Sequence, residues 1–259
     1  MGAVMGDWRA EVPAVAARLA QAKRVGVITG AGMSADSGLP TYRGIGGLYN
    51  DIEVEQNMPI EDILHAYTLA RNPALTWKYI AQIGRACRGA GPNDGHRVLA
   101  GWDNRFETWV ITQNVDGFHR QAGSRNVIEM HGNLSRCYCC ACRAAFSDEA
   151  LDLEVLPPRC AQCDGLVRPD VVLFGEMLPE VALSDYEREI VRGFDVLLAI
   201  GTTAGFPYIA EPMLRARRAG AVTVEINPDQ TVLSNAVTHR LAGRARDVLL
   251  ALDAALAEV

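Results

Sequence analysis

The sequence predicts an α/β fold in which a parallel sheet is covered by helices on both faces and a small metal-braced module interrupts the chain. Three observations carry this reading. Short apolar runs of strand length alternate with helical stretches, the pattern of strands buried on both faces. A glycine-rich turn follows the first of these runs directly. Six of the seven cysteines lie between residues 132 and 169, where the alternation stops.

A chain of 259 residues holds one sizeable core and a smaller module, and is too short for three ordinary domains. Nearly half of it is apolar, yet no apolar run approaches membrane-spanning length, so no membrane protein is expected. The net charge of −6 argues against nucleic-acid binding, which needs clustered Lys and Arg. The first residues lack the charged-then-apolar order of an export signal. A cytoplasmic protein is therefore expected, with cysteines serving as metal ligands and buried thiols rather than as disulfides.

Taken in order, Val12, Val15 and Leu19 fall on one face of a helix over residues 8–22, and Val25-Gly-Val-Ile-Thr29 follows as a short buried strand. Residues 60–88 read as helical, with Asn72-Pro73 dividing two segments. Strand-like runs return at 108–112, 127–128, 171–174, 196–200 and 222–226, with helices over 179–192 and 208–218 between the later ones.

The turn Thr29-Gly30-Ala31-Gly32-Met33-Ser34-Ala35 is a G-x-G-x-x-A sequence at a strand end, where small residues let backbone N–H groups approach a pyrophosphate. A hydride-transfer dinucleotide fold places an acidic residue about 20 residues further on, at the end of its second strand. No strand stands there in this chain, so a ribose contact is expected from a later strand end, Glu225-Ile226-Asn227. Gln113-Asn114-Val115-Asp116 and Gly201-Thr202-Thr203 also leave strand ends with polar side chains, and parallel sheets bind ligands outside those ends. Each segment alone reads equally well as loop capping. Convergence of all of them on Gly30 is less easily explained that way.

Cys139-x-x-Cys142 and Cys160-x-x-Cys163, separated by seventeen residues, have the spacing of two knuckles that present four thiolates to one tetrahedral Zn2+. Cys137-x-x-Cys140 is an equally spaced alternative on the first knuckle, and spacing does not choose between them. Four sulfur ligands leave no position for water, so the metal would brace a core-poor segment and do no chemistry. Cys87 and the two thiols left over on the first knuckle have no assigned role.

Together, Gly30-Ala-Gly-Met-Ser-Ala-Asp-Ser-Gly-Leu-Pro-Thr-Tyr-Arg43, Thr112-Gln-Asn-Val-Asp116, His131-Gly-Asn133, the cysteine knuckles and Phe174-Gly-Glu176 resemble the sirtuin family of NAD-dependent protein lysine deacylases, in its bacterial form. Order and spacing match over residues 25–227. The resemblance implies a Rossmann-like NAD-binding domain of residues 1–47, 88–131 and 169–259. It also implies a smaller domain with a helical part, 48–87, and a zinc-ribbon part, 132–168. It places Gly30, Ala31, Gly32, Tyr42, Arg43, Gln113, Gly201, Thr202, Thr203 and Asn227 at the NAD site, with Asn114 and Asp116 beside the reaction and His131 as general base. Because the family's first zinc cysteine follows that histidine by eight residues, the resemblance favours Cys139, Cys142, Cys160 and Cys163 as ligands.

In the scheme the resemblance implies, the acyl-lysine carbonyl oxygen attacks the ribose as nicotinamide departs, and His131 then deprotonates a ribose hydroxyl. Water finally releases free lysine and O-acyl-ADP-ribose. Histidine suits that step, since its ordinary pKa of about 6.5 leaves it mostly neutral near pH 7. On local sequence alone His119 is as tempting a base as His131, and what distinguishes His131 is its place between a strand and the cysteine module. Acyl-lysine proteins or peptides are the implied partners, laid as an added strand against Val172, Phe174, Gly175, Glu176 and the loop holding Phe206.

The chain departs from the family pattern at two places. Tyr42 stands where the family commonly has Phe, and Thr203, Phe206 and Tyr208 stand where it usually has Ser, Val and Pro. Acidic-acyl enzymes of the family carry Tyr-x-x-Arg in the helical part, whereas this chain has Tyr79-Ile-Ala-Gln82, so neutral acyl groups are expected. NAD-consuming mono-ADP-ribosyl transfer or NAD hydrolysis would share the nucleotide site without an acyl-lysine channel. A non-catalytic NAD-sensing or zinc-ribbon protein would keep the glycines and cysteines, but has no need of His131, Asn114 and Asp116 together.

Overall fold

Apolar strands of five or six residues stack into one sheet here because both of its faces are covered. The structure, a computed structural model, describes residues 7–39 and 58–259. In chain order the strands are β1 (Arg24–Thr29), β2 (Glu107–Thr112), β3 (Val127–Glu129), β4 (Gly132–Cys139), β5 (Ala145–Ser147), β6 (Val167–Val171), β7 (Val196–Ile200), β8 (Val222–Ile226) and β9 (His239–Leu241). Six of them, all parallel, form the main sheet in the order β3-β2-β1-β7-β8-β9. The other three form a small antiparallel sheet, β5-β4-β6.

Side chains alternate across the central strand β1. Val25 and Val27 pack with Val12, Val15 and Leu19 and with the helices Asp94–Trp102 and Ala245–Ala257. Ile28 faces the opposite way, toward Ile111 and the helices Glu180–Arg192 and Pro207–Arg218. From β1 the chain builds outward through β2 and β3 on one side, then returns to build β7, β8 and β9 on the other. The carboxyl ends of β1 and β7 therefore flank a topological switch point, where an open α/β sheet has its crevice.

The strand runs at 25–29, 108–112, 127–128, 196–200 and 222–226 all join this sheet, but the run at 171–174 does not. There β6 ends at Val171 and pairs antiparallel with β4, after which Phe174 donates its N–H to Leu64 O at 3.0 Å and accepts from Ala66 N at 3.0 Å. The run lies between β4 and the helices Ile60–Ile63, Ala66–Arg71 and Pro73–Gly89, and their shared core gives it the same apolar look as a buried parallel strand. β9 and the helices Asp94–Trp102 and Ala245–Ala257 are additions to the elements expected from the sequence. The glycine turn leads into two 3-10 turns, Ala31–Met33 and Ala35–Ser37, rather than an α-helix. Among the described residues no helix is long and apolar enough to cross a membrane.

A buried carboxylate ties the sheet to its outer helix. Glu189, 1% exposed, takes Arg24 at 2.6 Å, Arg192 at 2.9 Å and Arg188 at 2.9 Å, while Arg24 also donates to Gly193 O at 2.7 Å. Removing one partner of such a pair leaves an uncompensated buried charge. Glu189→Ala is expected to lower stability by about 3 kcal/mol in urea unfolding, with little change in the slope.

The cysteines resolve into one cluster and three outsiders. The sulfurs of Cys139, Cys142, Cys160 and Cys163 all lie within 4.8 Å of one another, with Cys139–Cys163 at 3.5 Å and Cys142–Cys160 at 3.6 Å. Those separations suit a tetrahedron with metal–sulfur bonds of about 2.3 Å. Backbone N–H groups of Ala141 and Cys142 point at the Cys139 sulfur, and that of Gln162 at Cys160, an arrangement that favours thiolate. The four residues fit one structural Zn2+. Cys137 stays outside the cluster, buried in β4, where burial pushes its thiol up to about 12. The Cys137/Cys140 register is thereby excluded. Cys140→Ser should keep one zinc per chain, whereas Cys142→Ser should lose it and lower Tm by about 10 °C or more, as read by metal analysis and thermal melts.

Candidate active site

The crevice at the switch point is closed on one side by two glycine turns locked against each other. Gly30 N–H donates to Ile200 O at 3.0 Å and Gly32 N–H to Gly201 O at 2.9 Å. A Cβ on Gly32 would stand 2.7 Å from Gly201 Cα, and one on Gly201, whose φ is +59°, would stand 2.5 Å from the Gly32 carbonyl carbon. Only glycine allows this approach. Of the turn's N–H groups, those of Gly30, Gly32, Met33 and Ser34 are taken by carbonyls, so a pyrophosphate would meet those that remain, Ala31 among them.

Polar side chains from three other strand ends meet this turn in one hydrogen-bonded set. After β2, Gln113 donates to Thr202 Oγ1 at 2.9 Å, and Asn114 donates to Gly30 O at 3.0 Å and Ser34 Oγ at 3.2 Å. Ser34 in turn donates to Asp116 at 2.6 Å, while the other Asp116 oxygen accepts the Phe118 N–H at 2.9 Å. Burial raises the Asp116 pKa, and those bonds pull it back only in part. From the far side of the switch point, Asn227 donates to Thr202 O at 3.0 Å. Thr203 is exposed at the rim. Glu225, expected as a possible ribose partner, instead accepts from Thr231 and from Ser234 at 2.7 Å and pairs with Arg240 at 3.3 Å, which shapes the loop after β8. The set is uncharged except for Asp116. Such an amide- and hydroxyl-rich crevice at a switch point fits a dinucleotide, whose phosphates and riboses are read by neutral donors and backbone.

His131 follows β3 and immediately precedes β4, so it stands where the two sheets join. Its Nε2 lies 2.7 Å from the Tyr208 hydroxyl, and the Gln113 backbone beside the ring favours the charged form. When Nε2 is the unprotonated nitrogen it accepts the Tyr208 O–H. Burial outweighs the Gln113 bond and lowers the His131 pKa below its ordinary value. Phe206 packs edge-on to the imidazole at 6.3 Å and stacks on Tyr208 at 5.6 Å.

His119 lies elsewhere. It is 2% exposed, its Nε2 bonds Thr29 Oγ1 at 3.0 Å, its ring rests 4.8 Å from that of His96, and burial holds its pKa well below 6.5. It supports the end of β1 from within the core and faces no cleft.

The expected substrate strand is partly engaged within the chain. Val172 N–H donates to His131 O at 3.0 Å, the Phe174 backbone is bonded on both sides to the helical segment, and Glu176 forms a forked pair with Arg168. Gly175, at φ +80°, passes so close to His65 that a Cβ would stand 2.5 Å from its ring. Tyr42 and Arg43 lie outside the described residues. Ser34, Tyr186 and the Tyr208 hydroxyl were missed as site groups. Ser34 had a signal, a polar residue inside the glycine turn, whereas Tyr208 was marked only as a departure from the family pattern.

The Sir2 family profile matches residues 30–206. The NAD-dependent protein deacylase 2 of Pseudomonas aeruginosa is 52% identical over 248 residues, 94% of this chain and 96% of that protein. The NAD-dependent protein deacylase of Aquifex aeolicus is 39% identical over 80% of this chain and 84% of its own length. Among solved structures, a Sir2 homologue in complex with NAD superposes with a TM-score of 0.84 at 36% identity, covering 95% of this chain and 93% of that one. A Sir2 complex with a p53 peptide and NAD+ superposes with a TM-score of 0.80 at 28% identity, covering 92% and 95%. In sequence, fold and the order of its site residues, the chain belongs to the Sir2 family.

Proposed function

We propose that this chain is an NAD-dependent protein lysine deacylase, acting on acetyl-lysine before other acyl groups and working in the cytoplasm. The observation that carries the reading is His131: a histidine at the junction of the two sheets, with Nε2 2.7 Å from the Tyr208 hydroxyl beside the switch-point crevice. Bound NAD supplies an electrophilic ribose carbon when nicotinamide departs, and an acyl-lysine carbonyl is the nucleophile.

The chain's residues have separable parts in this reading. Ala31, Gln113, Thr202, Thr203 and Asn227 hold the dinucleotide together with Tyr42 and Arg43, while Gly30, Gly32 and Gly201 contribute by shape. Asn114 and Asp116 order the reacting ribose, with Ser34 between them. Val172, Phe174, Gly175, Glu176 and Phe206 border the path of an acyl-lysine peptide, on the side of the NAD-binding domain that faces a smaller domain made of residues 48–87 and 132–168. The p53 peptide in a related Sir2 structure supports a peptide partner. His131 takes a proton, and its lowered pKa keeps it neutral and ready below pH 6.5.

The test is to incubate the protein with NAD and an acetyl-lysine peptide, following nicotinamide and peptide mass. Nicotinamide release should require the peptide, and His131→Ala should slow deacylation by about 100-fold or more. Release without peptide would point to NAD hydrolysis or ADP-ribosyl transfer instead. Because neutral His131 is the active form and its pKa is depressed, the acid limb of kcat/KM should fall below 6.5. A limb near 7 or above would contradict the assignment.

Acyl preference follows from Tyr79, which is buried, and Gln82, which is exposed and uncharged. A succinyl-lysine peptide should be turned over at least about tenfold more slowly than its acetyl counterpart, since no cation at position 82 offsets its carboxylate. Equal rates would overturn this.

A further inference from the structure

We infer that the base of this enzyme is a two-residue unit, in which the Tyr208 phenol receives the proton of the substrate hydroxyl and passes its own to His131 Nε2. This rests on the deacylase reading above. A bare imidazole nitrogen has one lone pair; the Tyr208 oxygen stands 2.7 Å from His131 Nε2, so in the Nδ1–H tautomer its O–H fills that lone pair. A substrate hydroxyl reaches that nitrogen either by displacing the phenol or through it.

The surroundings of Tyr208 favour passage through it. Its ring is stacked on Phe206 at 5.6 Å and 20° and meets Tyr186 edge-on at 6.4 Å. Its carbonyl accepts from the Tyr186 hydroxyl at 2.6 Å, and it is the second residue of a helix opened by Pro207. Swinging the phenol aside would break the stack. Its oxygen keeps lone pairs that can accept a substrate O–H.

The balance is simple. The substrate O–H breaks, and its proton forms a new O–H on Tyr208. The proton already there moves to Nε2, and the electron pair stays on the substrate oxygen as nucleophile. Tyrosine begins and ends neutral, and His131 ends as imidazolium. Burial pushes the phenol up to about 12, so a free phenolate is disfavoured and the two transfers are concerted.

Tyr208→Phe tests this in two ways. In the protein without NAD, nitrogen-15 NMR should show wild-type His131 as the Nδ1–H tautomer with Nε2 accepting a hydrogen bond. A phenol donating to the neutral ring lowers its pKa, so Y208F should raise it by about 0.5 to 1 pH unit. In single turnovers with NAD and acetyl-lysine peptide, Y208F should slow the acyl-transfer step by about tenfold or more. Nicotinamide exchange, which precedes proton transfer, should stay within about twofold and so report an intact fold and NAD site. The rate against deuterium fraction should be bowed for wild type, with two protons in flight, and straight for Y208F.

Wild-type acyl transfer in Y208F, faster acyl transfer (the phenol then being a lid), or an unchanged deuterium profile would overturn the relay. Should Y208F not fold, the wild-type spectrum still decides, because an Nε2–H tautomer is incompatible with the proposal. A wild-type protein that releases no nicotinamide with the acetyl peptide would instead sink the deacylase reading.

Discussion

The contact between the turn at Gly30–Gly32 and Gly201 is the constraint on which the rest of the site depends. Two backbone hydrogen bonds and the lack of two Cβ atoms bring the ends of β1 and β7 together. That closeness lets Thr202 meet Gln113 from across the switch point, and lets Asn114 reach back to Gly30 O. A methyl group at Gly32 or Gly201 would force the turns apart against backbone rather than against a movable side chain. Every polar group of the crevice would lose its register together.

From that lock outward the site is built of neutral groups that hold one another. Asp116, the one acid among them, is raised by burial and serves as an acceptor for Ser34 and the Phe118 N–H. Three of the chain's five histidines show how placement divides one residue type. His96 and His119 are neutral because they are sealed in the core beneath β1, and they support it. His131 has its pKa lowered by burial too but sits at a junction, with Nε2 directed at the Tyr208 hydroxyl.

Much of this was legible in the sequence because it is written in short-range order. Alternating apolar runs marked five of the six strands of the main sheet, and knuckle spacing marked the metal cluster. The misreadings have physical causes. Residues 171–174 look like a buried parallel strand because two other elements cover them. The close approach of the glycine turn to the end of β7, through two N–H groups, is likewise not visible in the sequence. Glu225 looked free to meet a ribose, and instead organises the loop that follows it. Side-chain meetings over long separations, such as Tyr208 with His131 or Ser34 with Asp116, leave no periodic trace and needed the fold.

The chain leaves the main sheet at His131 and passes back beside that residue at Val172, and the two points are fastened to each other. Val172 N–H bonds His131 O at 3.0 Å, and Gly132, at φ +78°, passes so close to Asp170 O that a Cβ would stand 2.0 Å from it. The forty residues between form a single excursion clasped at its neck. Lengthening, shortening or restyling the distal ribbon thus changes a lobe hung from that clasp, while the histidine at its root keeps its aim. Novelty in the outer surface and constancy in the proton acceptor are mechanically separated by one pair of neighbouring backbones.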